Sequence, residues 1–547
     1  APAGRPPSGP RVGGWTIVGG LLALLVVGPL VALPASFFGQ GEAFDSIAGT
    51  LLPDALRTSV LLGLGVGVGT LLVGGGLAVL VSFWDFPGRR ILDWALVLPM
   101  AMPGYVLTFV LLAQYGRGNA LQSNLLGDGL DIPGLRTPAG AVTVLTAVLY
   151  PYVYVLGRSA FLGQSRQALE AARGMGRTYG QAVRQVALPL ARPALAAGAA
   201  LAIMEALADF GTVDLLGVQA LPNAIYRVWN IDHAAALQLA TVLVGLALTM
   251  VTIERVLRGR ARYHQALGRG DAVAPRRIRG WKGAVAAVPG FALLAAVFAL
   301  PVVQLAAWSI EIIGSGDTTG DMWAATRHTL LLGGVTVLVA VSTATLVAYG
   351  KRGSRSRVGR VLARLATVGY AVPGTVVAVA VYGPLVWFDR RMVDVGESFD
   401  RDIGLLTTGT ILGLVLAYTV RFHALAFFSI EARMGRISTD LDDAARALGA
   451  DRARVLADVH LPLLKPGLLT AALLVLVEVM KELPATALLR PLGRDTLAIT
   501  VYEATKDSRL DAAALPALLI VLAGLVPVIL LVRSLRVDGW DSAAEGL

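Results

Sequence analysis

The chain has 547 residues, of which 55% are hydrophobic and only 15% are charged, and its formal net charge is +10. Soluble domains carry about 25% charged residues, so this composition excludes an ordinary soluble enzyme and indicates a chain that lies mostly in lipid. The chain contains no cysteine, which excludes disulfides, thiolate metal sites and thiol catalysis.

Twelve apolar windows follow one another along the chain, each long enough to cross a hydrocarbon layer of about 30 Å. The first is too long and too apolar for a cleaved signal region, so we expect a membrane helix there. The windows predict an all-α membrane protein with two pseudo-symmetric six-helix halves. The predicted spans are 15–37, 56–82, 91–114, 139–160, 194–217, 235–257, 284–308, 327–350, 361–387, 405–428, 467–490 and 512–532.

The positive charges predict which loops face the cytoplasm. One set of alternate segments holds 30 Lys and Arg residues, while the loops on the opposite side hold 9. Because cytoplasmic loops are enriched in Lys and Arg, we expect the richer segments and both termini on the cytoplasmic side of the membrane. Since the cations are spread over short loops, they do not predict nucleic-acid binding. The richer segments are 1–14, 83–90, 161–193, 258–283, 351–360, 429–466 and 533–547.

The predicted organisation follows from these spans and loops. Residues 258–283 are basic and contain Gly and Pro, and we expect them to form a solvated cytoplasmic linker. The predicted parts are an N-terminal tail with the first helix and an external loop (1–53), a first half (54–257), the linker (258–283), a seventh helix with an external loop (284–324), a second half (325–532) and a cytoplasmic tail (533–547).

Two predicted cytoplasmic loops carry the same pattern at an offset of 273 residues, and nine of the 23 positions from 171 to 193 are identical to their partners. The pattern predicts a short helix that ends at a glycine, then a second helical stretch that a Leu-Pro pair stops. Small side chains on the first helix favour close docking of another protein. The matching residues are Glu170, Ala171, Ala172, Gly176 and Leu188-Pro189 in the first loop and Asp443, Ala444, Ala445, Gly449 and Leu461-Pro462 in the second.

This pattern resembles the cytoplasmic signature of the permease subunits of ATP-binding-cassette importers. The resemblance covers both halves and implies a fused, binding-protein-dependent type I permease that is not itself an enzyme. It also implies that the acidic, alanine and glycine residues of the two loops are contacts for an ATPase subunit dimer, which binds ATP and Mg²⁺. None of the five Lys of the chain completes a Gly-Lys-Ser/Thr phosphate loop, so we expect no cofactor on this chain.

Two predicted spans carry paired acids at membrane depth. Glu205 and Asp209 lie in span five, and Glu478 and Glu482 lie at the same offset of 273 in span eleven. On a helix, a spacing of four residues places both carboxylates on one face. An ionised group at the bilayer centre costs at least about 2.5–3.5 kcal/mol. We therefore expect the acids either to line the route of the cargo or to pair with Lys481 or with an arginine near the cytoplasmic helix ends and hold a gate shut.

Helix-breaking residues occur at matching places in the two halves. Interrupted spans in corresponding positions of two repeats point to a transport site. We therefore expect these residues to act as gating elements beside the route. They are Pro103 and Gly104 in span three, Gly211 in span five, Pro373 and Gly374 in span nine, and Pro484 in span eleven.

Four carboxylates favour a cationic cargo, because oxygen ligands suit small, highly charged ions. Within the resemblance, the strings Ala208–Thr212 and Lys481–Thr486 look like the ferric-iron importer branch. That branch implies an external iron-binding donor protein and transient Fe(III) contacts at Glu205, Asp209, Glu478 and Glu482. Thiamine importers share the fused design and spermidine permeases are related, so a cationic charge alone does not choose among these cargoes.

Two other classes of protein compete with an importer. A proton-coupled transporter with twelve spans would also use buried acids, and Asp85–Arg90 loosely resembles a loop of the major facilitator class. Such a carrier needs no duplicated docking loop. A membrane-embedded enzyme is disfavoured because no His-Glu-x-x-His sequence occurs in the chain.

Overall fold

The structure is a computed structural model that describes residues 14–38, 42–115, 134–164, 166–258, 275–315, 320–353 and 357–537. Most of the predicted linker, 259–274, and most of both predicted tails therefore lie outside the described residues. In chain order the α-helices are α1 (Gly14–Ala35), α2 (Glu42–Thr70), α3 (Gly76–Phe83), α4 (Arg89–Ala95), α5 (Gly104–Tyr115), α6 (Pro138–Leu162), α7 (Arg166–Gly174), α8 (Tyr179–Ala182), α9 (Leu188–Ala208), α10 (Gly211–Leu215), α11 (Leu221–Trp229), α12 (His233–Arg258), α13 (Trp281–Leu294), α14 (Leu300–Ser315), α15 (Gly320–Gly353), α16 (Arg357–Leu365), α17 (Gly374–Ser398), α18 (Ile411–Met434), α19 (Thr439–Ala447), α20 (Arg452–Arg454), α21 (Leu461–Met480), α22 (Pro484–Leu489), α23 (Leu497–Lys506) and α24 (Leu510–Val537).

Several shorter elements connect these helices. The strands β1 (Trp84–Asp85) and β2 (Arg276–Arg277) pair in parallel. The π-helical turns are Leu71–Gly75, Val183–Ala187, Ala295–Ala299 and Val455–His460. The 3₁₀ turns are Ser36–Phe38, Leu98–Ala101 and Val368–Ala371.

Ten helices among the described residues are long and apolar enough to cross a membrane. The third predicted span is a bent pair, Arg89–Ala101 and Gly104–Gln114, whose axes differ by 93°. The ninth predicted span, 361–387, is likewise divided between α16 and α17. The predicted all-α fold with two halves is confirmed, and the two interrupted spans are those in which a Pro-Gly break was predicted.

Contacts divide the chain into two units. The first-half unit contains the described residues of 41–322 and 497–547, and the second-half unit contains those of 1–40 and 323–496. Helix α1 packs on α16 and α17 within the second-half unit, while α14 packs on α5 and α24 within the first-half unit. The helix that precedes each half in sequence therefore packs on the broken span of the other half. The predicted domain boundaries at 54–257 and 325–532 stay a prediction.

Close helix contacts hold the first-half unit together. A Cβ atom on Gly65 would lie 2.9 Å from Val142, and one on Gly67 would lie 2.8 Å from Ile203. Glycine lets the α2 backbone approach α6 and α9 more closely than a larger residue would, which is how membrane helices gain packing contacts without a hydrophobic driving force.

In the second-half unit, α18 is the most enclosed candidate span, with 67% of its apolar window buried.

Candidate functional site

The two docking loops form a matching pair of arms. We call residues 166–187 the first arm and residues 439–460 the second arm. In both arms the first helix ends two residues before the predicted glycine, which has a left-handed conformation with φ of 83° at Gly176 and 87° at Gly449. The Gly176 amide donates to the carbonyl of Arg173 at 3.0 Å, and the Gly449 amide donates to that of Arg446 at 3.0 Å. This left-handed termination favours glycine, so the predicted end of each first helix is confirmed.

The Leu-Pro pairs do not stop the second helical stretch, and that prediction is wrong. One helix runs without interruption from Tyr179 to Ala208, and its counterpart runs from Arg452 to Met480. A π-helical turn precedes Pro189 in the first arm and Pro462 in the second. Proline in an α-helix lacks one N–H and clashes with the carbonyl four residues earlier, and the wider π turn relieves both effects. Each arm is therefore continuous with the membrane helix that leads to the predicted acids.

Most of the predicted contact residues lie on the surface of the arms. The exposed residues are Glu170, Ala171 and Gly176 in the first arm and Asp443, Ala444 and Gly449 in the second. Ala172 is buried and Ala445 is half-buried, so these two pack against the chain itself. Sequence reasoning missed the roles of Met175 and Leu448, which occupy matching positions and are 77% and 90% exposed. Exposed apolar side chains at the same place in both arms are typical of a binding surface.

Each arm is tied to the end of a membrane helix by a tyrosine. The Tyr179 hydroxyl of the first arm donates to the carbonyl of Phe83 at 3.0 Å. In the second half the direction is reversed, because the Tyr349 hydroxyl of α15 donates to the carbonyl of Arg452 in the arm at 2.8 Å. Arg452 occupies the position that matches Tyr179. Both halves thus connect the arm to a membrane helix through a tyrosine hydroxyl. The tyrosine belongs to the arm in the first half and to the membrane helix in the second.

The second arm also contains a buried ionic cluster. Asp442, whose side chain is only 8% exposed, accepts from Arg352 Nε at 2.9 Å and lies 2.8 Å from His460 Nε2. Burial raises the pKa of Asp442, but Arg352 and His460 outweigh it and hold that pKa below the usual value. The matching positions of the first half are apolar, namely Val79, Leu169 and Ala187. The spacing of the histidines gave no signal for this cluster, because its members lie far apart in sequence.

We expect Asp442→Asn to loosen the second arm. The variant leaves the mostly buried Arg352 without its carboxylate, which costs about 3 kcal/mol for a buried pair. The matched control is Asp443→Asn, whose side chain is 75% exposed and pairs with the exposed Arg446. Tryptic cleavage within the second arm should be faster for Asp442→Asn than for the control, and equal cleavage rates would contradict this role.

In the first-half unit, the predicted acid and the predicted helix break lie together. Helix α9 ends at Ala208, and Asp209 accepts from the Thr212 amide at 2.8 Å and from the Thr212 hydroxyl at 3.0 Å. A Cβ atom on Gly104 would lie 2.9 Å from Asp209 Oδ2 and 2.5 Å from Thr212 Oγ1. Because Gly104 of the broken third span has no side chain, the Asp209 carboxylate can occupy the space beside it.

The second-half unit repeats this arrangement with an added arginine. Glu482, which is 4% exposed, accepts from the Ala485 amide at 3.0 Å and from Arg421 Nη1 at 3.0 Å. A Cβ atom on Gly374 would lie 2.6 Å from Glu482 Oε1 and would overlap the Arg421 guanidinium. Arg421 lies within α18, and its counterpart in the first half is Val148. Sequence reasoning considered an arginine partner only near the cytoplasmic helix ends.

The acids of each pair do not share one helical face, so that part of the prediction is wrong. Glu205 lies within α9, whereas Asp209 follows the end of that helix in an extended conformation. Helix α21 likewise ends at Met480, between Glu478 and Glu482. The second acid of each pair accepts from the amide three residues later, and this local bond competes with continuation of the helix. The predicted breakers Gly211 and Pro484 begin the short helices α10 and α22.

The second acid pair carries two positive partners. Glu478 forms an ion pair with Lys481 at 2.7 Å, as one of the two sequence interpretations allowed, and Glu482 pairs with Arg421. No group of three or more His, Cys, Asp or Glu residues able to hold a metal ion occurs among the described residues. The predicted transient Fe(III) contacts at the four acids stay a prediction.

We expect Gly104→Ala and Gly374→Ala to destabilise the protein by about 1–3 kcal/mol each, the cost of overpacking a filled site. The methyl group would displace Asp209 or Glu482 from its capping position. Gly76→Ala and Gly383→Ala are matched controls, since both positions are helical and have open space where a Cβ would lie. The thermal unfolding midpoint of the purified protein should fall only for the first two variants, and an unchanged midpoint would contradict the packing argument.

The duplicated arms, each continuous with a membrane helix that ends at a capping acid, define a multi-pass transport permease built from two related halves. The sequence model of the family described as "Binding-protein-dependent transport system inner membrane component" matches residues 71–261 and 337–537. The chain belongs to this family and contains two copies of its domain.

Relatives agree with this class. The chain is 24% identical over 528 residues to the Fe(3+)-transport system permease protein FbpB 2 of Haemophilus influenzae, covering 93% of this chain and 97% of that protein. It is 23% identical over 524 residues to an ABC transporter permease protein of Sinorhizobium fredii, covering 90% of each. A molybdenum ABC transporter permease protein of Haloferax volcanii is 29% identical over 250 residues, covering 44% of this chain and 88% of that protein.

Proposed function

We propose that the chain translocates ferric iron, delivered by an external binding protein, through the inner membrane by alternating access. The observation that carries this proposal is the similarity to an Fe(3+)-transport permease over 93% of this chain, since the molybdenum-named relative matches only 44% of it. A separate ATPase dimer on the cytoplasmic side supplies the energy and holds ATP and Mg²⁺. The chain itself carries out no covalent chemistry.

The arms receive the ATPase and transmit its movement. The contacts are Glu170, Ala171 and Gly176 with Met175 in the first arm, and Asp443, Ala444 and Gly449 with Leu448 in the second. The helix that continues from each arm ends one or two residues before Asp209 or Glu482. A displacement of the arm therefore moves Asp209, which caps α10, or Glu482, which caps α22. The glycine of the broken span packs against that acid and is displaced with it. These short helices are the gating elements.

The four acids meet the cargo as hard oxygen ligands, which suit Fe(III). Arg421 and Lys481 neutralise Glu482 and Glu478 while no cargo is present, so the buried Glu482 is not left with an unbalanced charge. The ferric ion replaces these positive partners for the short time it spends beside the acids. Transient contact of this kind lets the ion leave again, as transport requires.

An anionic cargo is a second candidate, because Arg421 is a half-buried arginine in the middle of a membrane helix. Some relatives are named for the transport of molybdenum or 2-aminoethylphosphonate. In that case Arg421 would bind the cargo and Glu482 would neutralise the arginine in its absence. Thiamine or another cationic solute remains an alternative on charge alone.

Reconstitution of the permease with its ATPase and its external binding protein in liposomes tests the cargo. We expect ATP hydrolysis and uptake to be stimulated by the binding protein loaded with Fe³⁺, and not when thiamine, molybdate or 2-aminoethylphosphonate is supplied instead. Stimulation by one of the other solutes without iron would contradict the ferric assignment. Uptake by the chain alone on a proton gradient would instead identify a secondary transporter.

A further inference from the structure

The last residues of the linker form an ordered basic segment, which we define as residues 276–282. Its strand β2 pairs with β1, placing Trp84 beside Arg276 and Asp85 beside Arg277. The Ile278 amide adds a bond to the carbonyl of Asp85 at 2.8 Å. This part of the linker is therefore fixed to the loop between α3 and α4, rather than being the fully solvated connector expected from its composition.

The basic segment presents four cations to the surrounding medium. Arg276, Arg277, Arg279 and Lys282 are all exposed. Within the part of the chain that the structure describes, none of these four forms an ion pair with a carboxylate. The indole of Trp281 lies among them and is 73% exposed. Four such cations and an aromatic ring in seven residues form a concentration of positive charge that no carboxylate among the described residues balances.

The position of this segment identifies what can balance the charge. Trp281 is the first residue of a candidate membrane span, Trp281–Ser315, and β1 begins directly after the span that ends at Phe83. Both strands therefore lie at the ends of two candidate spans, which is where a spanning helix meets the lipid headgroups. Exposed tryptophan is enriched at this level, where its ring contacts both lipid and water. The positive end of the α13 dipole adds to the same field and favours an anion.

We propose that the basic segment binds the headgroups of anionic phospholipids and thereby anchors the first arm to the membrane surface. Arg276 lies 5.9 Å from the centre of the Tyr179 ring, and the Trp84 ring packs on the same tyrosine at 6.0 Å. Tyr179 begins the second helical stretch of the first arm. A headgroup held by the basic segment therefore restrains that stretch through direct side-chain contacts.

This anchor belongs to one half only. Arg452 occupies the position in the second arm that Tyr179 occupies in the first. An arginine side chain has no aromatic ring on which a second arginine could stack. The second arm is held instead by the cluster of Asp442, Arg352 and His460. Anionic lipid thus acts on the first arm without a matching effect on the second.

Quenching of tryptophan fluorescence by brominated lipids tests the proposal on the full chain in nanodiscs. Phosphatidylglycerol or phosphatidylcholine carries the bromine at the same mole fraction, and each protein is measured with and without Trp281→Phe. The quenching lost on Trp281→Phe is the quenching at Trp281, and its ratio between the two brominated lipids gives the preference for phosphatidylglycerol at this residue. Because each cation near an anionic surface contributes about a five-fold gain in affinity, we expect a preference of at least about ten-fold in the native sequence.

The triple variant Arg276→Gln, Arg277→Gln, Arg279→Gln should reduce this preference to no more than about five-fold, the contribution of the remaining Lys282. The double variant Arg390→Gln, Arg391→Gln is the matched control, since these exposed arginines also lie beside an exposed tryptophan, Trp387. It should leave the preference at Trp281 unchanged. Equal quenching by the two lipids in the native protein, or an unchanged preference in the triple variant, would overturn the proposal.

Two other partners give distinct results. If inorganic phosphate at constant ionic strength removes the preference, the segment is a site for free phosphate and the lipid proposal fails. If the triple variant loses the ATPase on co-purification while its lipid preference is unchanged, the partner is the ATPase, and the lipid proposal fails in that case too. Loss of the preference without loss of the ATPase supports the anchor.

Discussion

Exchange of Gly176 and Gly449 for valine should separate the chain from its ATPase while leaving it inserted in the membrane. Both glycines have positive φ and have open space where a Cβ would lie, so the substitution strains the backbone without a collision inside the chain. A left-handed conformation costs a residue with a side chain about 1–2 kcal/mol, and a β-branched residue fits it poorly. The end of each first helix should therefore rearrange and displace Met175 and Leu448. Co-purification of the ATPase measures the result, and we expect at least a ten-fold loss for the double variant.

Asparagine at the same two positions is the matched control. It tolerates the left-handed region better than other residues with side chains, so the turn should persist and much of the ATPase binding with it. Normal co-purification of the ATPase with the double valine variant would contradict the role of the arms.

Removal of Glu205 and Glu478 together should abolish uptake without loss of assembly. These two acids lie within helices, whereas Asp209 and Glu482 cap α10 and α22, so only the first two can be removed without uncapping a helix. A hydrogen bond or contact with a charged group contributes about 1.5–3 kcal/mol, so loss of two should lower uptake by at least about 100-fold. Iron uptake into liposomes by Glu205→Ala, Glu478→Ala measures this effect.

The control for this variant is Glu397→Ala, which removes an exposed carboxylate outside the predicted route. It should transport iron normally. Undiminished iron uptake by the double variant would remove these acids from the transport route, whereas loss of assembly would show that they serve folding instead. The size-exclusion profile of the complex with its ATPase distinguishes the two outcomes.

The sequence was sufficient to find the parts of the site whose residue types are unusual in a membrane. Charged Asp209 and Glu482 and the breakers Gly104 and Gly374 stand out because lipid disfavours charge and helices disfavour interruption. The offset of 273 then identified their partners. The contacts between Gly104 and Asp209 and between Gly374 and Glu482 could not be predicted from the sequence, because they depend on how α5 and α17 pack against the ends of α9 and α21.

Other features left no signal in the sequence. The helices continue through Pro189 and Pro462 because π turns precede them, and a π turn has no characteristic residue type. Arg421 is a charge within a membrane span and is visible in the sequence, but only the packing of α18 against α22 identifies Glu482 as its partner. The exchange of α1 and α14 between the two halves is a long-range contact that local patterns do not encode.

Single cysteines placed at the tips of the arms test the central claim most directly, since the chain contains none of its own. Met175→Cys and Leu448→Cys should react with a membrane-impermeant maleimide in inside-out vesicles but not in intact cells, and the bound ATPase should protect both. Reaction from the outside, or the same reaction with and without the ATPase, would contradict arms that connect a cytoplasmic ATPase to the membrane helices.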